Sequence, residues 1–103
     1  MIAQEEFYVQ YKNMGNAGVG IVGVRSLDAY VAYQYRLTSC EALLTEKREF
    51  HSTSPIKSYQ KFQQFVKKTT GAPPRNFDPD SDFLGGDFSR SLEKALRNHI
   101  DMS

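Results

Sequence analysis

Ala29-Tyr30-Val31-Ala32-Tyr33-Gln34-Tyr35-Arg36-Leu37 followed by Thr38-Ser39-Cys40-Glu41 is the stretch whose reading decides the fold. In its first nine residues Val31, Tyr33, Tyr35 and Leu37 alternate with Tyr30, Ala32, Gln34 and Arg36. That period of two marks a strand. A helix is the rival, because Tyr30, Tyr33, Leu37, Cys40 and Leu44 also recur at heptad spacing, but the density of β-formers favours the strand. Thr38-Ser39-Cys40-Glu41 then has the spacing of a capping box, in which the hydroxyl and the carboxylate each satisfy an amide of the first helical turn. A helix is expected from there to about Phe50, burying Cys40, Leu43, Leu44 and Phe50 and exposing Glu46, Lys47 and Glu49.

Upstream, Phe7, Val9 and Tyr11 alternate with Tyr8, Gln10 and Lys12, a second period-two segment. Asn13-Met14-Gly15-Asn16-Ala17-Gly18 reads as a hairpin loop, and Val19 to Arg25 as a strand with a bulge or close approach at Gly20 or Gly23. Downstream, Ser54 precedes Pro55, which suits the first position of a helix because its missing amide hydrogen has no partner to lose. Ile56, Tyr59, Phe62 and Val66 make the apolar stripe of that helix, with Lys57, Lys61, Gln64 and Lys68 on its far side, and Gly71 with Pro73-Pro74 ends it. Residues 71–87 form a long loop, after which Asp87 caps a helix with Phe88, Leu92, Ala95, Leu96, His99 and Ile100 on one face. Three strands followed by three helices predict a single α+β domain over residues 1–103, a three-stranded antiparallel meander with the helices packed on one face.

Composition supports one modest core. The chain has 103 residues, and seven Phe with six Tyr give large rings to bury. Met1-Ile2-Ala3-Gln4-Glu5-Glu6 lacks the basic start of a signal peptide, and no apolar run reaches the roughly 18 residues of a membrane span. A soluble, cytoplasmic protein without membrane contact is expected, and the lone Cys40 fits a reducing compartment.

Candidate chemistry is sparse. Gly18-Val19-Gly20-Ile21-Val22-Gly23 has dinucleotide-site spacing, but no helix opens within it, so its glycines read as strand and turn glycines. Asp78-Pro79-Asp80-Ser81-Asp82 begins like a calcium loop, yet Phe83 occupies the sixth position and Ser89 the twelfth, where Gly and a bidentate carboxylate are needed. An acidic docking loop is the simpler reading, with a divalent cation as its alternative. Cys40 with His51 or His99 could make a nucleophile and base, but Cys40 on the Leu44 stripe reads as core. No metal site, cofactor or enzymatic activity is therefore expected.

Charge carries more information. From 51 to 76 the chain bears Lys57, Lys61, Lys67, Lys68 and Arg75 without an acid, and then Asp78, Asp80, Asp82 and Asp87 follow without a base. Such segregation creates local fields in a molecule whose net charge is only +1, and predicts a binding protein. The expected partner is protein, either a second copy in a homodimer or something larger that an accessory or regulatory factor would occlude. Contact is expected through an open sheet face bearing Tyr8, Lys12, Tyr30 and Arg36, with Lys57, Lys61, Lys68, Arg75, Asp78, Asp80 and Asp82 as flanking charges. Nucleic acid is the alternative: the lysine helix would meet phosphates and the tyrosines would stack on bases. A pI near 7.8 argues against it.

Overall fold

The computed structural model describes residues 6–26, 29–78 and 87–101. Strands β1 (Glu6–Asn13), β2 (Gly18–Ser26), β3 (Ala29–Leu37) and β4 (Ala42–Phe50) form an antiparallel meander. Helix α1 (Pro55–Thr70) leads to the short β5 (Arg75–Phe77), which pairs antiparallel with the outer side of β1, and α2 (Asp87–Asp101) follows. The sheet order is β4-β3-β2-β1-β5. No described helix is long and apolar enough to cross a membrane.

The mixed α+β character stands, but the count and layering expected from the sequence do not. Among the described residues five strands and two helices replace three and three, because residues 42–50 extend along β3 instead of coiling and residues 75–77 pair with β1. Thr38 does use capping chemistry: its Oγ1 accepts from the amides of Cys40 and Glu41 at 3.3 and 3.1 Å. The Thr38 amide in turn donates to the carbonyl of Glu41 at 2.9 Å. These bonds close a turn, and the chain reverses into β4. Cys40 consequently lies exposed on that turn rather than in the core, and Leu43 and Leu44 are exposed as well. The long loop expected over residues 71–87 also contains β5.

Cross-strand register explains why two helices suffice. Tyr8, Gly23 and Ala32 are direct neighbours on one face, whereas Val9, Val22 and Tyr33 are neighbours on the other. Both faces are apolar, so both must be covered. Phe62 and Val66 of α1 close the first over Tyr8, Ile21, Tyr30 and Ala32. Leu92 and Leu96 of α2 close the second over Phe7, Val9, Val22, Tyr35, Leu37 and Phe77. The helices thus lie on opposite faces, not together on one. Each fully buried side chain of this size contributes about 1.5–3 kcal/mol, so neither layer is optional for a small domain.

Two glycines set how closely the helices approach. A Cβ on Gly23 would stand 2.7 Å from Phe62 Cε1 and closer still to Cζ, and one on Gly20 would stand 2.8 Å from Leu92 Cδ1. Phe62 uses the vacant space to stack on Tyr30 at a centroid distance of 5.2 Å and to meet Tyr8 edge-on at 5.6 Å. Pro55 opens α1 after Ser54, whose side chain, contrary to the capping role its position predicts, makes no capping hydrogen bond, and Gly71 closes the helix at φ 82°, donating to the carbonyl of Lys67 at 2.8 Å. The hairpin at 13–18 turns through Gly15 at φ 89°.

Candidate functional site

With both faces of the sheet packed, three features of the described surface are left for contact. The first is the outer edge of β4. Among the described residues β4 pairs with β3 alone, so the backbone groups along its other side have no strand partner. Leu43 and Leu44 at its beginning are 47% and 56% exposed, whereas Glu46 and Arg48 form an ion pair of 2.9 Å further along. A register shift between Gln34 and Tyr35 of β3 accommodates Thr45, whose hydroxyl donates to the Gln34 carbonyl at 3.2 Å.

The second is a row across the meander, Lys12, Val19, Arg36 and Leu43, in direct register from strand to strand. It lies on the α1 face, and Lys12, Arg36 and Leu43 in it are exposed. The third is the solvent side of α1, where Lys57, Lys61, Lys67 and Lys68 are exposed and no acidic residue occurs in sixteen. No ion pair recorded among the described residues engages these lysines, Lys12 or Arg36.

The two tyrosines expected on an open face are buried. Tyr8 and Tyr30 are 8% and 4% exposed, because α1 lies over them, and both rings pack on Tyr59 and Phe62. The Tyr8 hydroxyl donates to Glu6 Oε2 at 2.8 Å, and that oxygen also accepts from Arg25 at 3.2 Å. Burial, reinforced by the carboxylate, pushes the Tyr8 hydroxyl far above its usual pKa. The hydrogen bond from Tyr8, with help from Arg25, lowers that of Glu6. This trio ties the start of β1 to the end of β2 and leaves the phenol no freedom to reach outward.

Of the remaining expected contact residues, Arg75 is exposed on β5 and Asp78 is exposed just after it. Asp80 and Asp82 lie outside the described residues, as does most of the acidic loop, including every residue of the calcium-loop-like stretch 78–82 except Asp78. The lysines on α1 and Asp78 belong to different elements. The β4 edge carries no local signal in the sequence, because residues 42–50 have the composition of a helix.

The cysteine and histidines are dispersed. Cys40 lines a shallow cleft of about 190 Å³ with Glu41, Ala42, Ser91, Lys94, Ala95 and Asn98, and no histidine borders it. The cleft is smaller than the roughly 300 Å³ at which small-molecule sites begin. His51 lies 3.7 Å from Glu49, whereas His99 Nε2 is 2.7 Å from the Tyr35 hydroxyl and its ring packs on Tyr33. Among the described residues no group of three or more His, Cys, Asp or Glu is placed to hold a metal ion. Comparison with family models, with curated proteins and with solved structures finds no match for this chain.

Proposed function

We propose that this chain is a small non-enzymatic binding protein, an accessory or regulatory factor that docks on a protein partner by lending it the open edge of β4. One observation carries the reading: a nine-residue strand ends the sheet with an outer side that is unpaired among the described residues, and with two exposed leucines. An extended partner segment can satisfy such backbone groups by adding a strand, and side-chain pockets alongside then give specificity. The exposed row Lys12, Arg36 and Leu43 continues the surface around the corner of the sheet. An exposed, unpaired cysteine agrees with action in a reducing compartment such as the cytoplasm.

Nucleic acid fits less well, since burial of Tyr8 and Tyr30 removes the stacking groups and leaves phosphate contacts alone. The test compares two baits in affinity capture from the native cell, the unaltered chain and a Leu43→Lys, Leu44→Lys double variant. Protein retained by the first and lost by the second supports edge docking. Identical captures, or nucleic acid as the sole captured species, overturn it.

A further inference from the structure

We infer that the segment received by β4 is acidic, an extended stretch that turns carboxylates toward α1 and apolar side chains toward Leu43 and Leu44; this rests on the edge-docking reading. The first support is the position of the lysines relative to that edge. Phe65 of α1 packs its ring 5.7 Å from that of Phe50 and carries the Arg48 guanidinium at 5.0 Å, so this flank of the helix faces β4. At about 100° per residue, Lys61, Lys68 and Lys57 fall within roughly 80° of Phe65 around the helix. All three are exposed, and by the same count they point between that flank and solvent, away from Phe62 and Val66. Lys67 projects toward the other side by the same count.

The second support is the balance of charge along the edge itself. On the α1 face of β4 the charges cancel, Glu46 against Arg48 at 2.9 Å, and on the opposite face Lys47 is offset by Glu49. Lys57, Lys61 and Lys68 therefore add positive charge on this side of the edge, with no carboxylate anywhere on α1. A strand added beside β4 presents alternate side chains to that flank, and carboxylates at those positions meet three unpaired cations. A second copy of the chain supplies a poor match, because its own β4 brings two acids and two bases, Glu46, Lys47, Arg48 and Glu49. A nucleic-acid backbone would meet the lysines but leave the strand edge and both leucines unsatisfied.

The experiment pans a random decapeptide phage library against the immobilised protein and titrates the winning synthetic peptide into isotope-labelled protein. The inference expects winners with Asp or Glu at alternate positions and amide shifts concentrated in residues 42–50. It also expects binding about tenfold weaker in the Lys57→Gln, Lys61→Gln, Lys68→Gln variant and a similar loss in 0.5 M salt. These lysines are exposed, so the variant keeps its fold. Winners that shift 42–50 without acidic bias overturn the acidic partner and leave edge docking intact. Winners mapping elsewhere, or none at all, overturn edge docking itself. Concentration-dependent dimers that protect the β4 amides assign the edge to a second copy and overturn the acidic segment.

Discussion

Alanine at Gly23 tests the layering of this protein directly. The backbone at Gly23 is ordinary β geometry, so alanine is conformationally welcome there and on its own would gain about 0.5–1 kcal/mol. The space is not: the new methyl meets the Phe62 ring, at 2.7 Å from Cε1, and that ring is already held by Tyr8, Tyr30, Tyr59 and Phe50. Overpacking a closed core costs about 1–3 kcal/mol. The clash wins, and a net loss of about 1–2 kcal/mol lowers Tm by about 4–16 °C for a domain near 100 residues. Gly20→Ala meets Leu92 in the same way but in the other layer. Urea unfolding of double-mutant cycles separates the two. Phe62→Leu relieves Gly23→Ala with a coupling of about 1 kcal/mol and leaves Gly20→Ala unrelieved, while Leu92→Ala does the converse. Equal coupling of both glycines to one helix, or a Gly23→Ala protein as stable as the parent, would refute a sheet held between two helices.

The remaining expectations use simpler readouts. The Leu43→Lys, Leu44→Lys protein unfolds within about 0.5 kcal/mol of the parent for each substitution, because both side chains already face water; a larger drop in the urea midpoint would mean that the edge is covered. Cys40 labels fully with a disulfide reagent in the native state, and a thiol that waits for denaturant would contradict its place on the β3–β4 turn. Burial raises the hydroxyl pKa of both Tyr8 and Tyr35, so the stability they lend is complete below the ordinary tyrosine value of about 10 and is lost as pH rises beyond it. Absorbance at 295 nm should show them ionising last, together with unfolding, and six tyrosines titrating as one class would count against this. Glu6 shifts the opposite way: its contribution is present above the usual carboxyl pKa of about 4.3 and fades as pH falls below it, so Glu6→Gln should flatten stability in that acid range.

The segments that follow their local pattern were legible, and those governed by distant partners were not. Residues 29–37 are apolar at nearly every position, with Tyr30 and Ala32 buried on one side and Tyr35 and Leu37 on the other. Near-continuous apolarity is the mark of a strand covered on both faces, and it was there to be read as such. Residues 42–50 are the opposite case. Leu, Glu, Lys and Arg favour helix locally, and Thr38 makes the same side-chain bonds at a turn that it would make at a helix start. Nine residues of pairing with β3 outweigh that preference. Of the candidate site, the lysine stripe of α1 and the exposure of Lys12 and Arg36 could be anticipated from periodicity. The burial of Tyr8 and Tyr30 could not, because it depends on which face α1 chooses, and Gly23 opposite Phe62 is the feature that makes that face fit.

Covering both faces also narrows how this protein can meet another. A sheet with one bare face offers a broad platform, but here the described residues leave two edges, nine-residue β4 and three-residue β5, and edges invite indiscriminate pairing unless guarded. Glu46, Lys47, Arg48 and Glu49 guard the second half of β4, since an uncharged strand laid against them would strand their charges or force them aside. Leu43 and Leu44 leave the first half unguarded. On the edge-docking proposal, the combination would reject a uniformly apolar strand at one end and reward it at the other, so an accepted segment would change character along its length. On the same proposal, lysines on the flank of α1 that bears Phe65 would favour acids in the part of the segment nearest them. Selectivity of this kind would arise from strand, bulge and helix acting on one line of backbone.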